Sequence, residues 1–165
     1  MIGEGVADKY IANLSLHIVN DPDLMLKQAY LVLKEGGKAA FSVWGDQEHG
    51  YLFTIPSQVF KKHNVALPSA RSMWHLNDRE ALIERVEAAG FKNVVAWNQY
   101  VPFREFGEHE YENFIKKMQE GSLPADMDAQ KKAEILDEIV LEMKKVGTEL
   151  KRPIGFYALV VIGTK

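Results

Sequence analysis

The chain has 165 residues and no cysteine, which excludes disulfides and thiolate metal sites and favours a cytoplasmic location. Its formal net charge is -3, with acids and bases mixed throughout, so we expect no basic surface for nucleic acid or for an anionic membrane. The longest apolar run, "FYALVVI", is too short to span a membrane, and the length suits a single domain over residues 1–165.

The first predicted elements form a strand–helix–strand unit. "DKYIANLSL", Asp8–Leu16, is short and apolar in its middle, as in a strand. A helix follows, because Asp21 suits an N-cap, Pro22 suits the first helical position and leucines recur at helical spacing. We expect Gly36–Gly37 to end it, since glycine adopts the left-handed conformation at little cost. The apolar segment Lys38–Trp44 then reads as a buried parallel strand.

A second unit repeats this pattern after a connection that we interpret as an insertion over about 45–76. "LNDREALIERVEAAGF" offers Asn77 or Asp78 as the N-cap and Gly90 as the stop. "KNVVAWNQYVPF" follows and is predicted to be a strand.

The last third of the sequence is predicted to be mostly helical, over about 104–151. It holds one helix at Glu108–Gln119 and one from about Asp128 to Leu150, whose apolar residues form one stripe. The chain closes on the apolar, β-branched segment Ile154–Ile162, which we predict to be a strand.

Just over half of the chain resembles the class I S-adenosylmethionine-dependent methyltransferases. The likeness rests on "LHIVNDP" followed by "LVLKEGG", and on "LNDREALIERVEAAGFKNV", which is similar to the family's next unit. It covers about Asp8 to Val95. Leu31 stands where the family commonly has arginine, and Glu35 where it has proline, and neither departure touches the glycine pair.

The resemblance implies an α/β protein with a truncated Rossmann-like methyltransferase fold. Its mixed sheet would have three parallel strands, an antiparallel C-terminal strand between the second and third, and helices on both faces. The family's glycine-rich cofactor loop is missing, because Gly3–Gly5 ("GEG") neither follows a strand nor precedes a helix. The acidic residue that binds the cofactor ribose is missing too. We therefore expect the C-terminal part of a methyltransferase domain.

The resemblance also implies where a cofactor would lie. Ligands bind open α/β sheets at the carboxyl ends of the strands, and the family places the methionine end of S-adenosylmethionine against the loop after this strand. The residues concerned are Asn13, Leu14, Ser15 and His17. The alternative is a polar loop that caps the next helix. Histidine side chains in general titrate near neutrality, so His17 would suit a general base, but we favour a packing role.

The remaining candidates have simpler explanations than a metal or catalytic site. Asp21 and Asp23 flank a proline at a helix start, where capping and the helix dipole account for them. The other histidines lack the spacing of a zinc site: His49, His63, His75 and His109. Aromatic side chains at the strand end and in the insertion are interpreted as core, with substrate contacts as the alternative: Trp44, Tyr51, Phe53, Phe60 and Trp74.

Two functions follow from the resemblance. The first is S-adenosylmethionine-dependent methyl transfer to a small organic acceptor by the complete protein, with weak cofactor binding and no activity in this chain by itself. Methyl transfer depends mainly on alignment, so no catalytic dyad is required. The second is a non-catalytic remnant that folds and associates.

Self-association is predicted because the first strand would lie at a sheet edge. Tyr10–Leu14 carries no charge, proline or bulge to protect it. We expect a homodimer or another partner chain there, unless Met1–Ala7 folds back over the edge.

Overall fold

The computed structural model describes residues 3–66, 72–102, 108–151 and 154–165. Its elements in chain order are β1 (Ala7–Ala12), α1 (Pro22–Val32), β2 (Leu33–Trp44), α2 (Tyr51–Lys62), α3 (Arg79–Ala88), β3 (Lys92–Pro102), α4 (Glu108–Glu120), α5 (Ala129–Leu150) and β4 (Gly155–Thr164). None of the helices within the described residues is long and apolar enough to cross a membrane.

The four strands form one sheet in the order β1-β2-β4-β3. β1 runs parallel to β2, and β4 runs antiparallel to β2. A Cβ on Gly163 would meet the Phe91 ring, and the Tyr100 and Tyr157 rings lie 5.2 Å apart, so β3 begins beside the end of β4. The predicted antiparallel last strand between the second and third strands is therefore confirmed. Because β4 separates β2 from β3, β1 and β2 are the parallel pair in direct contact.

Aspartates cap three of the helices. The Leu24 amide donates to Asp21 Oδ1 at 2.9 Å, and the Ala81 amide donates to Asp78 Oδ1 at 2.8 Å. Asp128 receives the Lys131 amide in the same way at the start of α5. These bonds satisfy amides that have no partner inside a helix. The predicted cap at Asp21 is confirmed, and Asp78 is the cap of α3 rather than Asn77.

The predicted stop at Gly36–Gly37 is wrong. α1 ends at Val32, and Leu33 is already extended, with φ -76° and ψ 145°. The glycines lie inside β2, where Gly36 takes a φ of 76°. The Gly36 amide donates to the Lys165 carbonyl at 3.1 Å, and the Lys165 amide donates to the Gly37 carbonyl at 2.9 Å. Pairing with the end of the chain thus draws these residues into the sheet, which a helix stop would not allow.

The chain forms two compact units. The first comprises Met1–Gln47, Arg71–Tyr100 and Tyr157–Lys165, and the second comprises Glu48–Ala70 and Val101–Phe156.

The core of the first unit joins the sheet to α1 and α3. It includes Leu26, Ala29, Phe41, Val43, Leu82, Val86, Leu159 and Val161. Asp23 of α1 pairs with Arg85 of α3 at 2.8 Å, so the two helices lie side by side on one face of the sheet. The connection from β1 to β2 through α1 and the connection from β2 to β3 through α3 cross the sheet in the same direction. Right-handed crossovers then place both helices on the same side. The expectation of helices on both faces does not hold for this pair.

The second unit is helical, and its core joins α2, α4 and α5. The buried side chains include Leu52, Ile55, Val59, Phe60, Ile115, Ile135, Ile139 and Met143. The helices predicted over Glu108–Gln119 and Asp128–Leu150 match α4 and α5 closely. α2 was not predicted within the insertion, although its buried residues, Pro56 among them, recur at helical spacing.

Candidate functional site

The four predicted cofactor residues lie in the loop that follows β1. β1 ends at Ala12 rather than at Leu16, so Asn13, Leu14, Ser15 and His17 all come after the strand. Leu14 has a φ of 46°, a left-handed conformation that a strand does not accommodate. The loop therefore turns away at the carboxyl end of a parallel strand, which is the edge where such sheets bind ligands.

A hydrogen-bonded chain fixes the start of this loop to β2. The Leu14 amide donates to Ser42 Oγ at 2.8 Å, and the Ser42 hydroxyl donates to Asn13 Oδ1 at 2.6 Å. Ser42 is 6% exposed, so its hydroxyl is sheltered from competing water. Because the Asn13 carbonyl oxygen is taken, the Nδ2 group of this exposed residue is turned to donate elsewhere.

His17 points the other way, into the protein. It is 8% exposed, and its ring centroid lies 5.9 Å from that of Trp44, at the end of β2. Burial lowers the pKa of His17 below 6.5, and repulsion from His75 lowers it further. Its Nδ1 atom is buried with no hydrogen-bond partner among the described residues. These are the features of a packed, neutral imidazole rather than of a base poised near neutral pH.

Trp44 links His17 to Trp74 in the connection before α3, next to His75. The Trp44 and Trp74 ring centroids lie 6.2 Å apart at an interplanar angle of 61°. His75 Nδ1 lies 2.7 Å from the Ser72 carbonyl oxygen. We call His17, Trp44, Trp74 and His75 the imidazole–indole cluster. β1 and β2 are parallel, so the cluster and the β1 loop share the same edge of the sheet.

The other sequence candidates lie elsewhere. Asp21 caps α1, and Asp23 lies in the first turn of α1 and pairs with Arg85, so both side chains have structural roles. Tyr51, Phe53 and Phe60 belong to the helical unit or its core, and the His49 ring packs against Tyr51. His109 lies outside the residues whose side chains the structure describes. Within the described part of the chain, no group of three or more histidine, cysteine or acidic residues is placed to hold a metal.

In the helical unit, His63 takes part in an ion network. His63 Nε2 lies 2.7 Å from Glu138 Oε2, and Lys62 Nζ lies 2.5 Å from Glu138 Oε1. Hydrogen bonds from Lys62 and then His63 lower the pKa of Glu138. This network joins the end of α2 to α5, so a structural role accounts for His63 and Glu138.

Sequence reasoning missed Ser42 and gave His75 no role. Ser42 is the one hydroxyl within the apolar "AAFSVW" segment, and a buried polar residue in such a strand is a usable signal. His75 acts electrostatically on His17 from 58 residues away in the sequence, and such an effect leaves no local signal.

No protein-family model matches the sequence, and no curated protein does. Among solved structures, phosphoethanolamine N-methyltransferase 2 of Haemonchus contortus with S-adenosyl-L-methionine matches 100% of this chain with a TM-score of 0.54 and 15% identity. The match covers 34% of that protein. The YcgJ protein of Bacillus subtilis matches 98% of this chain with a TM-score of 0.50 and 14% identity, over 65% of its own length.

These matches show the fold. The chain has the fold of the class I S-adenosylmethionine-dependent methyltransferases, as the sequence resemblance implied. S-adenosylmethionine is the cofactor of that family, and the Haemonchus enzyme was solved with it and with S-adenosylhomocysteine. The chain spans about a third to two thirds of the length of these proteins.

The β1 loop fits one end of that cofactor. The methionine part carries an ammonium and a carboxylate, and the oriented Nδ2 group of Asn13 is a donor for a carboxylate. Asn13 is exposed, and Leu14 and Ser15 are partly exposed at the same strand end, whereas His17 is buried. The sequence offers no glycine-rich loop for the nucleoside end.

Proposed function

We propose that the chain forms the methionine-side wall and the acceptor side of an S-adenosylmethionine-dependent methyltransferase that acts on a small organic acceptor. The observation that carries this proposal is the Leu14–Ser42–Asn13 hydrogen-bonded chain. It turns a donor outward at the strand edge where this fold binds its ligands.

The residues would act by positioning. Ser42 holds the Asn13 amide, whose Nδ2 group donates to the carboxylate of the methionine part. Leu14 and Ser15 lie partly exposed beside this donor, while His17 supports the loop from beneath. The cofactor, when bound, supplies an activated methyl group, so the protein has chiefly to align the acceptor with it.

Cofactor binding by these 165 residues is expected to be weak. A glycine-rich loop normally supplies backbone amides along the cofactor, and this sequence has none. Methyl transfer would then require residues beyond this chain. We also propose a cytoplasmic location for the protein.

The test is the response of backbone amide NMR signals to ligands. We expect S-adenosylmethionine, S-adenosylhomocysteine and free methionine at millimolar concentration to shift the signals of Asn13 to Ser15, and adenosine to leave them unchanged. Asn13→Ala should abolish the shifts, whereas the control Asn20→Ala, an exposed amide in the same loop, should retain them. Shifts absent from this loop in the wild type would refute the proposal. Micromolar or tighter binding would contradict the expected incomplete site.

We propose a second role, association of two copies through β1. β1 is an edge strand, and Ile11, the last residue but one of β1, is 75% exposed. The register places Ile11 beside Ala40 and Ala40 beside Ile162, so these apolar side chains form a row on one sheet face. An isologous antiparallel contact would pair the open backbone groups and cover Ile11.

The N-terminal segment does not serve as a cover within the described residues. The Gly5 and Val6 amides donate to the Leu31 and Val32 carbonyls at the end of α1, away from Ile11.

Light scattering at tens of micromolar tests this association. The wild type should be dimeric and Ile11→Lys more monomeric, because two like charges would meet near the two-fold axis. Val95→Lys is the control, since Val95 is 55% exposed on the strand at the opposite edge. A monomeric wild type, or equal weakening by both substitutions, would remove the association proposal and leave the methyltransferase proposal intact.

A further inference from the structure

The imidazole–indole cluster holds two buried nitrogen atoms without partners. His17 Nδ1 and His75 Nε2 make no hydrogen bond within the described residues, although both atoms are shielded from water. A buried polar atom without a partner is costly, and most such atoms in folded proteins are satisfied. Two in one cluster, at the ligand-binding edge of the sheet, indicate a ligand that supplies the missing bonds.

The contacts of His75 fix what its free nitrogen can do. The Ser72 carbonyl can only accept, so His75 Nδ1 carries the proton and donates to it at 2.7 Å. In the neutral ring, Nε2 is then a bare acceptor that requires a donor from the ligand.

Burial, and then the nearby His75, lower the pKa of His17 and so disfavour its charged form. No bond fixes which of its nitrogens carries the proton. Its Nδ1 can therefore donate to the same ligand group.

We propose that the imidazole–indole cluster is the binding site of the methyl acceptor, and that the acceptor is an aromatic compound carrying a hydroxyl group. A hydroxyl donates to His75 Nε2 and accepts from His17 Nδ1, which satisfies both atoms. An ammonium has no lone pair to accept with, and a carboxylate has no proton to donate.

The body of the ligand is inferred from the indoles. Trp44 and Trp74 present two tilted rings, and a third aromatic ring packs well against such a pair in edge-to-face or offset geometry. Binding of the hydroxyl compound stands without the cofactor, but its identity as methyl acceptor rests on the proposed function. The two imidazoles lack a third ligand among the described residues, so a metal ion is the less suitable occupant.

The probe is 4-methylphenol, followed through the indole N–H NMR signals without cofactor. We expect saturable shifts at Trp44 and Trp74, and none at Trp97, which is 41% exposed on β3 and serves as an internal control. 4-Methylanisole and toluene, which lack the hydroxyl proton, should bind roughly tenfold or more weakly, because the buried acceptor on His75 would stay unpaired.

His75→Asn tests the roles of the two ring nitrogens of His75 separately. Its amide can still donate to the Ser72 carbonyl, but nothing replaces the Nε2 acceptor, so 4-methylphenol binding should fall roughly tenfold. His49→Asn is the matched control in the other unit and should bind normally. If His75→Asn fails to fold, the comparison of the three compounds on the wild type decides by itself.

Equal binding of the three compounds, or no shift at either tryptophan, would overturn the proposal. Saturable shifts of the same signals by Zn²⁺ in the absence of the phenol would instead assign a metal site. The loop signals of Asn13 to Ser15 report on the cofactor separately, so failure of the acceptor site and failure of the methyltransferase proposal can be told apart.

Discussion

Replacing Ser42 with alanine tests how the β1 loop is held. The side chain is 6% exposed, and its hydroxyl is bonded to the Leu14 amide and to Asn13 Oδ1. In Ser42→Ala the exposed Asn13 side chain can form a hydrogen bond to water instead, so losing its bond to Ser42 costs little. The Leu14 amide is only partly exposed and is left unpaired, and an unpaired group of this kind costs about 1–2 kcal/mol. Leu14 also has a left-handed backbone, with a φ of 46°, which is unfavourable for a residue other than glycine.

We expect the free energy of unfolding to fall by about 1–2 kcal/mol. In urea, this loss moves the midpoint down by roughly 0.5–1 M for a slope of about 2 kcal/mol per molar. Ser57→Ala is the matched control, because the Ser57 hydroxyl donates to the Phe53 carbonyl on an exposed surface of α2. Its midpoint should stay close to that of the wild type. If Ser42→Ala shifts the midpoint no more than Ser57→Ala does, the hydrogen-bonded chain does not hold the loop.

Three further substitutions have defined outcomes. Gly155→Ala would place a Cβ 2.1 Å from the Val101 carbonyl oxygen and should cost about 1–3 kcal/mol in thermal unfolding, whereas Gly121→Ala, whose Cβ meets nothing within 4 Å, should not. The pKa of His17 is lower in the folded protein than in the unfolded chain, so its contribution to stability is complete above pH 6.5 and is lost as the pH falls through the folded-state pKa. His17→Gln should therefore lose less stability on acidification than the wild type does. An equally steep loss in both proteins would contradict this. Glu138→Gln should lower the free energy of unfolding by ~0.5–1 kcal/mol at neutral pH, and the difference from the wild type should vanish only below the lowered pKa of the Glu138 carboxyl. Equal stability of the two proteins at neutral pH would show that the interactions of Glu138 with Lys62 and His63 add nothing.

Local chemistry made several elements predictable from the sequence. Asp21 followed by Pro22 marks a helix start because the side chain satisfies a free amide and proline needs no partner there. Gly90 ends the α3 unit as expected, with a φ of 107°. The apolar, β-branched C-terminal segment was predicted to be a strand, and the family resemblance supplied its place in the sheet; the structure confirms both.

Other features depended on contacts distant in sequence. A glycine pair is compatible with a helix stop and with an irregular strand, and the bonds from Gly36 and Gly37 to Lys165 decide for the strand. The end of β1 is set in the same way, because Ser42 captures the Leu14 amide and turns the chain out of the strand. Neither partner lies close enough in sequence to be read locally.

The candidate site divides along the same line. Its position at the loop of Asn13 to His17 was determined by the sequence, because a strand followed by a helix places that loop at the ligand edge of an α/β sheet. Its chemistry was decided by tertiary structure. Ser42 turns the Asn13 amide outward, Trp44 packs against both His17 and Trp74, and His75 acts on His17 electrostatically. The direction of a hydrogen bond and the protonation of a buried ring depend on neighbours that only the folded chain brings together.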